Sequence, residues 1–385
     1  MAGPVCGLML ADMGADVIKV EKVPGGDDTR RTLPPDIGGE SAAFLMMNRN
    51  KRGIALNLKT EGGKIIARRL LADADAVIEN YRKGTMERLG LGYDEVRRLN
   101  PGIIYAELSG FGRSGPYAER AGFDLIAQGM SGVMSITGEA GGGPPTKCGP
   151  PLSDITAGIL AAMGVLGAYV HRLKSGEGQR VDTSLFEAAI THTYWQSAMT
   201  FATGISPGAL GSAHPLSAPY QAFEAADGWF TLGAANQTNW LRLLEALERP
   251  DLQDDPRFAD DPARMANIEA LVTVLSAIFR ERPLAYWLQR LEGAGVPAGP
   301  VLDIAGMQAD PQTLARGMVT EVPHSRLGRV KTLGHPVHYS ATPAEIRRGA
   351  PLLGEHTREI LAEHGFSGPE IEKFVAEGAA VAENA

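Results

Sequence analysis

The chain carries only two cysteines, Cys6 and Cys148, among 385 residues. Two thiols exclude a disulfide scaffold and suit a reducing compartment, so a cytoplasmic location is expected. Cationic residues are outnumbered, 37 Lys and Arg against 45 Asp and Glu, for a net charge of -8. That balance argues against a general nucleic-acid partner, which needs a basic surface. It leaves room for a local basic pocket that takes an anionic ligand. No uninterrupted apolar run reaches about 18 residues, so no membrane span and no membrane partner are expected. The start lacks the basic and apolar regions of a secretory signal. The eight histidines are scattered, and His335 and His338, the one close pair, flank Pro336 with no Cys or acid at ligand spacing. No metal site is expected from that pattern.

What is present is 44% apolar and 21% charged, enough for a core and far from a disordered composition. Strand and helix signals alternate in the first half, over Pro4–Met13 (helix), 16–20, 54–58, 76–79 and 103–108 (strands), and 60–71 and 93–99 (helices). This alternation predicts an α/β fold with a mostly parallel sheet. The strongest helix runs from about 155 to 172, where Ile155, Ile159, Leu160, Met163, Leu166 and Val170 form one apolar stripe. A second helix is expected over 184–200. Residues 201–219 read as a linker, rich in Gly, Pro and Ser. Tyr220 to Leu232 carries a hairpin signal at Asp227-Gly228, with helices expected at 240–247, 265–280 and 283–294. The expected domains are a large one from residues 1–200 and a small one over 220–312, followed by a segment 313–385.

Two motifs invite chemistry and fail on physical grounds. Gly110-Phe111-Gly112-Arg113-Ser114-Gly115 matches a dinucleotide fingerprint, but Pro116 follows where a helix must open. A flexible loop at a strand end is the reading kept for it. Gly204-Ile205-Ser206-Pro207-Gly208 matches a nucleophile elbow, yet Pro207 has no N–H to serve as oxyanion donor. A third feature stays open. Asp154 begins the strong helix, either as an N-cap or as a nucleophilic carboxylate at a positive helix end. The two readings share one geometry. In either, the helix end is expected to favour the ionised carboxylate. Lys22, Arg30, Arg31, Lys51, Arg52, Lys59 and Arg88 lie near strand ends or loops, as phosphate-binding positions or as solvated charge.

Eight blocks, met in order along nearly the whole chain, resemble the family III CoA-transferases, which also include the α-methylacyl-CoA racemases. They are AGPVCGLMLADMGADVIKVE, GDDTR, NRNKRGIALNLK, VIENYRKGTMERLGLGY, NPGIIYAELSGFGRSGPYAERAGFDLIAQGMSG, PLSDITAG, SGEGQRVDTSLFEAA and PLLGEHT. The resemblance implies a Rossmann-like large domain, a smaller α+β domain, and return of 313–385 to the large domain. It implies two ring-like subunits threaded through each other as a homodimer. It implies no permanently bound cofactor, with coenzyme A and acyl-CoA as substrates beside a small carboxylic acid. By resemblance, Asp154 matches the catalytic aspartate. Ala2, Lys22, Leu56, Lys59, Asn80, Tyr81 and Arg88 match CoA contacts, and Ala121, Gly122, Phe123 and Asp124 match the loop that passes the thioester. Family members begin with a strand before the AGP motif, which this sequence lacks. The racemases carry His where this chain has Phe123.

The stretch from Gly211 to Trp240 most resembles dicarboxylate transferases such as the succinyl-CoA–glutarate enzyme, and points to His214 and Tyr220 for the acceptor acid. The implied activity is CoA transfer from a donor such as succinyl-CoA to a carboxylic acid through an aspartyl-CoA thioester. The alternatives are an α-methylacyl-CoA racemase or epimerase and a non-catalytic CoA-binding protein.

Overall fold

A computed structural model describes residues 1–383, which divide into two compact units. The first contains residues 1–134, 147–206 and 311–385, and the second 135–146 and 207–310. The chain therefore leaves the first unit twice and returns twice.

Three helices and five strands of the first unit position the candidate site: α1 (Ala2–Asp12), α2 (Asp124–Met130), α3 (Leu152–Ser175), β1 (Val17–Lys22), β2 (Lys51–Leu56), β3 (Ala76–Glu79), β4 (Ile104–Ser109) and β5 (Arg180–Ser184). β1 pairs with β2 in parallel, Lys22 opposite Leu56, and a late strand, Ala380–Val381, adds antiparallel to β2. β3, β4 and β5 form a second, wholly parallel sheet, with Glu79 opposite Glu107 and Ser109 opposite Ser184. The α/β class and the parallel pairing agree with the sequence reading, but the parallel strands lie in two three-stranded sheets. β5 is not among the expected strands. Its sequence RVDTS has no apolar alternation, and it is held by side-chain pairing at the sheet edge, Arg180 with Glu107 and Asp182 with the Arg113 N–H.

α3 departs most from expectation. The apolar stripe of Ile159, Met163, Leu166 and Val170 faces outward and is exposed. The buried face is built of small residues, Ala157, Gly158, Ala161, Ala162, Val165 and Ala168, against α1 and β4. Small side chains let two helix backbones approach closely: a Cβ on Gly158 would lie 2.7 Å from the Ala2 carbonyl oxygen. The helix is also long and apolar enough to cross a membrane, contrary to the expectation of no such segment. Gly, Thr, Tyr and His interrupt the run in sequence, yet its mean hydropathy stays at 1.5. The helix expected over 184–200 breaks into Leu185–Ile190, a 3-10 turn at Thr191–Thr193, and Tyr194–Thr203. The Thr191 and Thr193 hydroxyls donate to the Ala188 and Ile190 carbonyls and tighten that turn.

Within the first unit, the late helix Thr357–Glu363 is tied to β2 through Arg52, which pairs with Asp16, Glu359 and Glu363. His356 is half-buried, and its Nδ1 accepts the Gly53 N–H of β2. In the second unit the hairpin Tyr220–Ala225 and Gly228–Gly233 is extended by Ala298–Pro300. Its core joins Phe223, Phe230, Trp240, Phe258, Phe279 and Trp287. The helix expected over 265–280 is interrupted at Asn267, between Asp261–Ala266 and Ile268–Phe279.

Candidate active site

The start of α3 is the chemical focus. Pro151 is the N-cap, so Asp154 is the third residue of the helix, and the N-cap reading of Asp154 does not hold. Its carboxylate reaches across to another helix: Oδ1 accepts the Ala2 N–H, the first amide of α1, at 3.3 Å. Asp154 thus lies in the first turn of one helix and at the N-terminus of a second, where orphan amides and both macrodipoles favour negative charge. Burial outweighs them. The Asp154 carboxyl is raised above the ordinary carboxylate value by desolvation and by the charge of Asp124, against the lowering effect of the chain's amino terminus and the Ala2 N–H. The expectation that the helix end would favour ionisation gave too little weight to that burial.

Asp124 completes this corner. Its Oδ1 accepts the Ser153 N–H at 2.9 Å, so it supplies the acceptor that Pro151 cannot offer to the first turn of α3. The preceding loop is pinned by glycine. A Cβ on Gly122 would stand 2.5 Å from the Gly110 Cα, so the 121–124 loop and the end of β4 meet backbone to backbone. Phe123 projects outward, 76% exposed.

The remaining predicted contacts of the first unit lie at strand ends. Asn80 follows β3, donates to the Leu108 carbonyl at 2.8 Å, and has its Cβ 3.3 Å from where a Cβ on Gly3 would be. Ala2, Asn80, Asp124 and Asp154 therefore gather around the starts of α1 and α3. Tyr81 is exposed, its N–H held by Glu79 at 2.7 Å and its carbonyl by Arg113 at 3.0 Å. Desolvation of the covered part of its side chain and the charge of Glu79 raise the Tyr81 phenol, and the nearby charge of Lys22 opposes them. Lys22 is exposed and pairs with Asp28, Leu56 is buried at the end of β2, and Lys59 is exposed in the following loop. Arg88 is exposed and bonds to Thr85 within its own helical turn. His214 and Tyr220 belong to the second unit, where their rings pack edge to face at 5.2 Å and the His214 N–H donates to the Tyr220 carbonyl.

Several cations weighed for phosphate binding are committed internally. Lys51 is buried, donates to the Pro4 and Met47 carbonyls and to Asn48, and is held well below the ordinary lysine value by desolvation. Arg30 pairs with Glu21 and lies 3.7 Å over the Phe44 ring. Sequence reasoning also missed Arg113, the arginine of the glycine-rich loop. It is buried between Glu79 and Glu107, and anchors that loop to the sheet. Two acids at the matched register positions of neighbouring strands were the available signal. A cavity of about 520 Å³ borders the helix Gln237–Leu247 and includes none of the residues read as functional from sequence.

The family model for CoA-transferase family III matches residues 1–357. The chain is 41% identical over 372 residues to a succinate–glutarate CoA-transferase of Agrobacterium fabrum, covering 94% of this chain and 92% of that one. It is 37% identical over 364 residues to the succinyl-CoA:glutarate CoA-transferase of Mus musculus, covering 94% and 83%. A crystal structure of a CAIB/BAIF family protein from Brucella suis superposes with a TM-score of 0.84 at 39% identity, covering 94% of this chain and 96% of that one. This chain belongs to the CoA-transferase family III.

Proposed function

We propose that this protein moves CoA from an acyl-CoA donor, succinyl-CoA or a similar thioester, to a dicarboxylic acid, with Asp154 as nucleophile. The placement of Asp154 carries the reading: it is half-buried in the first turn of α3, and its carboxylate is turned toward the amide of another helix. The names of the relatives supply the substrate class.

The Asp154 carboxylate attacks the thioester carbonyl, and the C–S bond breaks to leave a mixed anhydride and CoA thiolate. The thiolate attacks the aspartyl carbonyl, which releases the donor acid and leaves an aspartyl-CoA thioester. The acceptor carboxylate attacks that thioester, and the returning thiolate takes the acceptor's acyl group and frees Asp154. Each step exchanges one activated acyl bond for another, so the cycle balances without ATP. The protein must exclude water and stabilise oxyanions, and the desolvation that raises Asp154 also removes hydration from the attacking oxygens. In this reading Ala2, Lys22, Leu56, Lys59, Asn80, Tyr81, Arg88 and Ala121–Asp124 bind CoA, and His214 and Tyr220 face the acceptor's distal carboxylate. A racemase needs a second proton-transfer group, which Phe123 does not provide.

The same reading includes a threaded homodimer, a cytoplasmic location, no resident cofactor, and 201–219 as a linker between domains. The outward stripe of Ile159, Met163, Leu166, Val170 and Leu173, with Tyr194, Trp195 and Phe201 exposed nearby in sequence, supports burial against a second copy. The test is a competition among acids with succinyl-CoA as donor. Glutarate or another dicarboxylate should lead in kcat/KM. A lead for formate or butyrate would overturn the substrate class.

A further inference from the structure

Gln128 is fully buried on α2, and its side-chain amide is engaged at both ends. Its Nε2 donates to Asp124 Oδ2 at 2.8 Å, and its Oε1 accepts the Cys148 N–H at 2.8 Å. The orientation of the amide is fixed by chemistry. A backbone N–H needs an oxygen, and a carboxylate needs a donor, so the flipped amide would oppose like groups at both ends. Asp124 is thereby held with its other oxygen on the Ser153 N–H, one residue before Asp154. Cys148 begins the short loop that leads into α3, so the same amide also fixes the approach of the chain to that helix.

We propose that Gln128 is a positioning residue for the reaction: through Asp124 and the Cys148 amide it sets the first turn of α3, and with it the angle at which the Asp154 carboxylate meets the thioester. The inference rests on the reading of Asp154 as nucleophile. Gln128 touches no reacting atom. Its effect passes through one carboxylate and one loop, which are tied together because both Asp124 oxygens and both ends of the Gln128 amide are engaged. A small displacement of a nucleophile is costly to rate while leaving remote binding contacts intact.

The experiment uses a matched pair of substitutions in the full chain. Gln128→Glu keeps the acceptor for the Cys148 N–H but sets a second carboxylate against Asp124. The expected result is a fall in kcat of about tenfold or more, with KM for acyl-CoA nearly unchanged. The acid limb of kcat/KM should also move to higher pH, because an added negative charge near Asp154 disfavours its ionisation. In the double variant Gln128→Glu with Asp124→Asn, the amide and the carboxylate exchange places. The amide introduced at position 124 donates to the carboxylate introduced at position 128, and the amide oxygen still accepts the Ser153 N–H. Because Asp124 is itself read as a CoA contact, the readout is kcat at saturating acyl-CoA: much of the lost kcat returns, and the acid limb moves back. A kcat for Gln128→Glu within twofold of the native enzyme would overturn the proposal. So would a loss of melting temperature and activity that the exchange does not repair and that leaves the pH profile in place. Asp154→Asn, measured alongside, separates the two levels of argument: full activity there would remove the nucleophile itself, whatever Gln128 does.

Discussion

The Asp154 carboxylate accepts the amide of Ala2 at 3.3 Å across the crossing of α1 and α3. That crossing is close because Gly158, one helical turn beyond Asp154, has no side chain: a Cβ there would stand 2.7 Å from both the Ala2 carbonyl oxygen and the Val5 Cβ. The nucleophile's hydrogen bond and the packing of two helices are therefore one feature.

Gly158→Ala tests this link. In an exposed helix the change would stabilise by about 1 kcal/mol. Here backbone must move, and overpacking costs of about 1–3 kcal/mol are expected instead. The melting temperature should fall, and kcat should fall with it as α1 withdraws Ala2. Thermal denaturation and steady-state kinetics on the variant check both.

Asp154 also predicts an opposition between activity and stability. Its carboxyl is raised in the fold, so the folded state holds its proton to higher pH than the unfolded chain. Stability from this group is then lost as pH rises from the unfolded value of about 3.9 through the folded one. Asp154→Asn removes the cost of the buried charge and keeps an oxygen for the Ala2 N–H. It should melt higher than the native protein at pH 7, and the difference should vanish below about pH 4. Melting curves across that range decide it.

Arg113 holds the carbonyl of Tyr81 at 3.0 Å and lies between Glu79 and Glu107. Burial raises Glu79 to about 7 even with this arginine beside it, and the charge of Glu107 adds to the shift. Arg113→Leu would leave buried Glu79 with no cation of its own beside Glu107, which keeps only Arg180. A loss of about 3–5 kcal/mol in unfolding free energy is expected, as for other broken buried pairs, together with a higher KM for acyl-CoA as Tyr81 loosens. Denaturant unfolding and KM measurements on the variant test the two consequences separately.

Phe123 is exposed and carries no proton. A 2-methylacyl-CoA incubated with the enzyme in deuterated water should show negligible deuterium at Cα. Rapid uptake, read by mass spectrometry, would restore the racemase alternative.

Much of this was legible in the sequence because local signals and the fold agree. Thr60 caps its helix, Tyr93–Leu99 is a helix with the expected bounds, and Ala76–Glu79 is a strand with the expected bounds. What failed depended on partners distant in the chain. The apolar stripe of α3 faces out, because small residues on its opposite face let α1 approach more closely. β5 exists because Glu107 and Arg113 supply partners for Arg180 and Asp182. Asp154 is three residues past the N-cap, and Asp124, thirty residues earlier, serves the amide beside it. The role of Gln128 was hidden for the same reason: its spacing of four from Asp124 shows only one of its two contacts.

The most direct measurement of the central claim is trapping of the acyl-enzyme. The protein is incubated with succinyl-CoA and hydroxylamine or borohydride, then digested and mapped by mass spectrometry. The account predicts modification at Asp154, loss of activity only when the donor is present, and neither labelling nor turnover in Asp154→Asn. Labelling at another carboxylate, or full activity in Asp154→Asn, would contradict it.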